Sequence, residues 1–213
     1  MKLTLTFSPM ACSVVPYVAL TEAGATFDTL PVNLSKHEHH EPSYLKINPK
    51  GKVPALIIDG YPLTENTAIQ IWIANQFPQA NLLPKDPLEF VKAVSIMSWC
   101  AAGIHPKLTQ QARPERYCDL PESAAIVQAL GSHSLFEMLE IADSMLANRE
   151  WFFDHFTSAD TYFYWCFRRG TQFKPDLSHF TNCMAHMQRI EQRPSVQKML
   201  AYEKSVIAQF NKT

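Results

Sequence analysis

Residues 2–24 read KLTLTFSPMACSVVPYVALTEAG, and the order of signals in this stretch decides the fold. KLTLTF alternates apolar and polar residues with a period of two, the pattern of a half-buried strand. Residues 12 to 23 then read as a helix, and Gly24 supplies its C-terminal stop. Pro16 limits where that helix begins, because proline fits the first turn and damages later ones. The start therefore falls near Cys12 or Ser13. FDTLPVNL, residues 27–34, is a second short strand, so the stretch opens a β-α-β unit with a parallel strand pair.

Cys12 sits where the strand ends and the helix begins. That place is the positive end of a helix dipole, beside N–H groups without helical partners. A thiol there ionises more readily, and thiolate is the reactive form. The same position also suits a small buried residue at a tight junction. Residues 12–24 alone leave both readings open.

Farther along, VPALII (53–58) and YPLT (61–64) predict a hairpin across Asp59-Gly60. ENTAIQIWIANQF (65–77) reads as an amphipathic helix with Ala68, Ile71 and Ile73 toward the core. PQANLLPKDP (78–87) is a proline-rich connector. Beyond it helical spacing dominates, with helices expected over 88–113, about 124–147, 158–172, 177–192 and 195–209. The organisation is an α/β domain over 1–77, a linker over 78–87 and an all-helical domain over 88–213.

The chain has 213 residues, 46% hydrophobic and 18% charged, with net charge −1. This balance carries no electrostatic footprint for nucleic acid or an anionic membrane. Its five cysteines, Cys12, Cys100, Cys118, Cys166 and Cys183, are odd in number and include no C-x-x-C pair. They read as reduced thiols rather than a disulfide or zinc framework. No signal-peptide core and no run of eighteen apolar residues stands out, so a cytoplasmic protein without a membrane span is expected.

Several short motifs bear on chemistry. NPKGKVPAL (48–56) places Val53-Pro54 directly before a strand, where proline must precede the ladder or lie on an edge. A cis bond there would present the Val53 backbone to a ligand, and an ordinary turn proline is the alternative. LTENTAI (63–69) puts Thr64, Glu65 and Asn66 at a helix start, either as a cap or as a place for ionic ligand groups. HEHH (37–40) invites a metal reading, but no second motif completes a site, so a solvated loop without metal is expected. WCAAGIHPKL (99–108) interrupts a helix with Gly103 and Pro106, predicting a kink at His105. In FTSADTYFYW (156–165), Thr157 and Asp160 form a capping box, a folding feature.

Together PMACS, NPKGKVPAL, LTENTAI, GIHPKL and TSAD resemble the glutathione transferase superfamily, closest to its bacterial cysteine-type, or beta-class, members. The resemblance covers essentially the whole chain. It implies a thioredoxin-like N-terminal domain, an all-α C-terminal domain and a homodimer. It implies that glutathione is conjugated to small electrophiles in detoxification, with thiol–disulfide exchange at Cys12. A glutathione-dependent reductase or dehalogenase, or a non-catalytic binding module, are the alternative functions. By the same resemblance, Cys12, Ser13 and His105 border the reacting sulfur. Val53, before Pro54, pairs with the cysteinyl backbone. Glu65 takes the γ-glutamyl ammonium and Asn66 its carboxylate, while Lys36, His37 and Lys52 complete the glutathione set. Trp99 and His105 face the second substrate between the domains. Three positions depart from the pattern: His37 replaces a lysine, Ser98 an asparagine and Arg169 an aromatic residue.

Overall fold

The computed structural model describes residues 1–173 and 175–212. The chain divides into two compact units, Met1–Leu83 with Glu191–Thr213, and Pro84–Ile190.

In the first unit, β1 (Leu3–Phe7) leads through the Ser8–Ser13 loop to α1 (Val14–Glu22) and β2 (Asp28–Pro31). A short helix, α2 (Pro42–Leu45), precedes the hairpin of β3 (Ala55–Ile58) and β4 (Tyr61–Thr64), and α3 (Asn66–Gln76) follows. The sheet order is β2-β1-β3-β4. β1 and β2 are parallel, as the β-α-β reading requires, and β3 is antiparallel to both β1 and β4. The hairpin turns at Asp59 and Gly60, both at positive φ, a conformation that glycine adopts without steric cost.

The core of this unit combines Leu3, Leu5 and Phe7 of β1 with Val14, Val15, Val18 and Leu20 of α1 and Ile69 and Ile73 of α3. The expected phase of α3 is corrected here. Of Ala68, Ile71 and Ile73, only Ile73 is buried, and the inward stripe is Asn66, Ile69, Gln70 and Ile73. Polar residues occupy half of that stripe, which hides it from hydrophobic patterning.

The last helix, α9 (Pro194–Phe210), packs with this unit rather than with the helices preceding it in sequence. Tyr202 stacks on Tyr17 with ring centroids 5.1 Å apart and meets Phe7 edge-on at 5.0 Å. Its hydroxyl lies 2.6 Å from Thr29 Oγ1. Arg193 grips the Glu22 carboxylate at the end of α1 through Nε and Nη2, at 2.8 and 2.9 Å.

The second unit comprises α4 (Pro87–Trp99), α5 (His105–Ala112), α6 (Ser123–Met145), α7 (Ser158–Thr171) and α8 (Thr181–Glu191). Asp86 caps α4 by accepting from the N–H groups of Leu88 and Glu89, each at 3.0 Å. The interruption predicted near His105 is a π-helical turn, Cys100–Ile104, joining α4 to α5. Pro106 lacks the N–H that would bond back to residue 102, and the His105 N–H instead reaches the Cys100 carbonyl. Gly103 is required there, because a Cβ would lie 2.7 Å from Trp99 Cδ1. By length and composition the run Pro87–Ala112 could cross a membrane. Its inward residues, Ala93, Ile96, Met97, Cys100, Ile104 and Leu108, are buried in this unit.

The capping box of α7 forms as read from the sequence. It does more than cap. Asp160, fully buried, accepts from the N–H groups of Phe152 and Thr157 at 2.9 and 2.8 Å, from Thr157 Oγ1 at 2.9 Å, and pairs with His186 Nε2 of α8 at 3.0 Å.

Candidate active site

The loop after β1 is built around Ser13. Its hydroxyl accepts from the Ser8 N–H at 3.0 Å and donates to the Ser8 carbonyl at 3.1 Å, closing the loop on itself. With both functions engaged and no exposed surface, Ser13 is a loop clasp. This geometry favours a structural role over the activation of a ligand thiol that the resemblance implies.

Ser13 is also the N-cap of α1, so the helix begins after Cys12 rather than at it. Cys12 is 7% exposed, and its Sγ donates to the Val53 carbonyl at 3.5 Å. Burial drives its thiol up to about 12, outweighing its own backbone N–H and the nearby Lys52, which both favour thiolate; Glu65 adds to the rise. Of the two readings that the sequence leaves open, this burial favours the small residue at a tight junction. Desolvation of the charged form outweighs the helix terminus. The group offered at this position is a neutral S–H donor.

Val53-Pro54 is a cis peptide. Both flanks are held from below by buried side chains. Tyr44 Oη and Asn48 Nδ2 donate to the Lys52 carbonyl at 2.7 and 2.6 Å, and the Ala55 N–H donates to Thr6 Oγ1 at 2.7 Å. Thr6 and Tyr44 hydroxyls are themselves 3.2 Å apart. Val53 lies outside the β3 ladder, and its N–H meets no acceptor among the described residues. An extended peptide could pair with that edge.

The start of α3 lies beside it. Glu65 is the N-cap residue, with φ 70° and ψ 118°, a conformation that is strained for a residue with a Cβ. The first helical N–H groups, those of Asn66, Thr67 and Ala68, have no partner inside the helix, and no side chain caps them. They form an anion-binding end. The Asn66 side chain does not join them: it is 5% exposed and donates from Nδ2 to the Cys12 carbonyl at 2.9 Å. Gln70 Nε2 follows at 3.3 Å from Asn66 Oδ1. Asn66 thus ties α3 to the Cys12 loop, leaving its backbone N–H for a carboxylate.

The Glu65 carboxylate is paired with Lys50 Nζ at 2.5 Å, and Lys50 also donates to Thr64 Oγ1 at 2.9 Å. Both partners are well exposed, so this bridge is weakly held. Lys50 lies within a motif read from the sequence, yet its pairing was missed. A second missed residue is Glu203 of α9. Its carboxylate, 3% exposed, accepts from the Met10 N–H at 2.7 Å, and Met10 has φ 59°. The last helix therefore holds the loop that carries Cys12.

Lys36, His37 and Lys52 are all exposed in the first unit, with His37 at φ 60°. In the second unit, His105 heads α5, and its ring meets Trp165 edge-on at 4.5 Å. Trp99 is half-buried against Gly103.

The arrangement combines a free strand edge, an anion-binding helix start, an adjacent carboxylate and a neutral thiol. Residues 1–75 match the family model described as glutathione S-transferase, N-terminal domain. Glutathione S-transferase GstA of Escherichia coli O157:H7 is 32% identical over 204 residues, 93% of this chain and 98% of that protein. Two solved structures are similar in fold. The beta-class enzyme of Sphingomonas chungbukensis has TM-score 0.83 and 35% identity, covering 94% of this chain and 98% of that one. A glutathione transferase homologue from Sulfitobacter, with bound glutathione, has TM-score 0.89 and 27% identity, also covering 94% and 98%. A free Val53 edge beside the open start of α3, in a chain this similar along nearly its whole length, leads to one conclusion: the chain belongs to the glutathione S-transferase family.

Proposed function

We propose that this enzyme conjugates glutathione to small electrophiles. The observation that carries the reading is the unpaired Val53 edge, bordered by three free N–H groups of α3 and by the Cys12 thiol. The cysteinyl backbone of glutathione pairs with Val53. Its γ-glutamyl carboxylate takes the Asn66 and Thr67 N–H groups, and its ammonium takes Glu65 in place of Lys50. Lys36, His37 and Lys52 supply positive charge for the glycine carboxylate. The ligand sulfur lies by Cys12, whose S–H turns from the Val53 carbonyl to donate to the forming thiolate. That thiolate attacks the electrophilic carbon, the leaving group departs with the bonding pair, and the thiol proton passes to water. Trp99 and His105 are assigned to the electrophile.

Burial of Cys12 favours this route over disulfide exchange, which needs its thiolate. The five free cysteines fit a reducing cytoplasm. Exposed Leu88, Val91, Ile126 and Leu130 of the second unit fit a face covered by a second copy in a homodimer; sedimentation showing only monomer at micromolar concentration would count against this.

The test is calorimetric titration. Glu65→Ala should weaken glutathione by about 1–2 kcal/mol, a charged hydrogen bond less the lost competition from Lys50. It should weaken an analogue without the α-ammonium far less. Equal losses for both ligands would reject the assignment. Glutathione-dependent halide release from an activated aryl halide tests the reaction itself, and its absence at saturating glutathione would reject conjugation.

A further inference from the structure

Three histidines of the first unit that glutathione binding does not explain as a group lie together. His37, His39 and His40 each offer one ring nitrogen, and these three atoms lie within 4.8 Å of one another. The ring centroids of His39 and His40 are 4.0 Å apart, and His37 lies 5.9 and 6.2 Å from them.

The loop that gathers them is ordered by side chains that bond back to its own residues. Asn33 Oδ1 accepts from Ser35 N–H, Ser35 Oγ and Lys36 N–H at 3.1, 2.6 and 3.3 Å. Glu38 returns its carboxylate to the Asn33 N–H at 2.6 Å. His37 turns at φ 60°, and its carbonyl accepts from the His40 N–H at 2.8 Å. That turn brings the first ring back over the last two. The ring of His40 rests on Gly51, where a Cβ would come within 2.9 Å of His40 Nδ1. His39 is buried, whereas His37 and His40 are exposed.

We propose that His37, His39 and His40 bind one divalent transition-metal ion of the imidazole-preferring kind, with Zn2+ the representative. Neutral imidazole suits Zn2+, Cu2+ and Ni2+, and three imidazoles with an open fourth position are a known zinc ligand set. With Zn–N bonds of about 2.0–2.1 Å, tetrahedral ligand nitrogens stand about 3.3 Å apart. The trio therefore needs to close by at most about 1.5 Å, through rotation of the two exposed rings about the buried one. The bound ion would hold residues 37–40 in one conformation, coupling metal to loop order. His37 is shared with the proposed glutathione set, whereas His39 and His40 stand outside it.

The experiment is calorimetric titration of the reduced full-length chain with Zn2+, without glutathione. One ion should bind per chain. His40→Ala, an exposed substitution outside the proposed glutathione set, should weaken binding at least tenfold, and His37→Ala should do the same. Cys118→Ser, which removes the most accessible thiol, should leave affinity within twofold. Nuclear magnetic resonance should show the imidazole signals of all three histidines shifting together as Zn2+ is added. Absence of one-to-one uptake by the wild-type chain would overturn the proposal, as would unchanged affinity in the His37→Ala/His40→Ala double variant.

Discussion

Asp160→Ala removes more than a helix cap. Losing an N-cap interaction costs about 1 kcal/mol. In the structure, however, the same carboxylate also serves the Phe152 N–H at 2.9 Å and His186 Nε2 at 3.0 Å, and all these groups are buried. Alanine leaves both without an acceptor in a site that water does not reach. Each orphaned buried polar group costs about 1–3 kcal/mol. Because these groups share one carboxylate, their costs overlap rather than simply add. The expected loss is about 3–5 kcal/mol, or roughly 10–15 °C in Tm for a chain of this size. Thermal and urea unfolding, followed by circular dichroism, measure it. Asp160→Asn keeps the volume and one acceptor oxygen, so its loss should be intermediate. A loss of 1 kcal/mol or less for Asp160→Ala would refute the reasoning, because it would reduce Asp160 to a cap whose tertiary bonds carry no energy.

Two further predictions follow from titrating groups. With its thiol driven up to about 12 by burial, Cys12 should alkylate slowly at neutral pH. Its rate should rise about tenfold per pH unit through pH 10, with no plateau near the ordinary thiol value of about 8.5; a plateau below pH 9 would show that the helix terminus wins after all. Burial acts to raise the Glu22 carboxyl, but hydrogen bonds from Arg193 and Ser195 and the Arg193 charge outweigh it and hold the carboxyl below its ordinary range. A carboxyl depressed in the folded state contributes stability above its unfolded value, about 4.3, and loses it as pH falls through the lower folded value. Glu22→Gln should therefore flatten the acid limb of the stability profile below about pH 4.5 and loosen α9; an unchanged acid limb would remove Glu22 from the account.

What was legible in the sequence lies within a few residues along the chain. Alternation in KLTLTF, the Pro16 limit on α1, the Asp59-Gly60 turn, the Thr157–Asp160 box and the break at Gly103–Pro106 each need only neighbouring residues. All of them appear in the structure. Such features follow from local backbone geometry, which a short segment carries with it.

The chemistry of the site needed contacts across the fold. Asn66 reaches the Cys12 carbonyl across 54 residues, and Glu203 reaches the Met10 N–H across 193. Neither pairing has a local signature, because each side chain reads equally well as solvent-facing. The same holds for the last helix, whose amphipathic pattern marks a buried face without naming the unit that covers it. Cys12 shows the limit most directly. Its place at a helix start argued for thiolate, while the same place suited a small buried residue equally well. Its ionisation is instead governed by how completely the packed chain removes water from the sulfur, a quantity that exists only once the chain has folded.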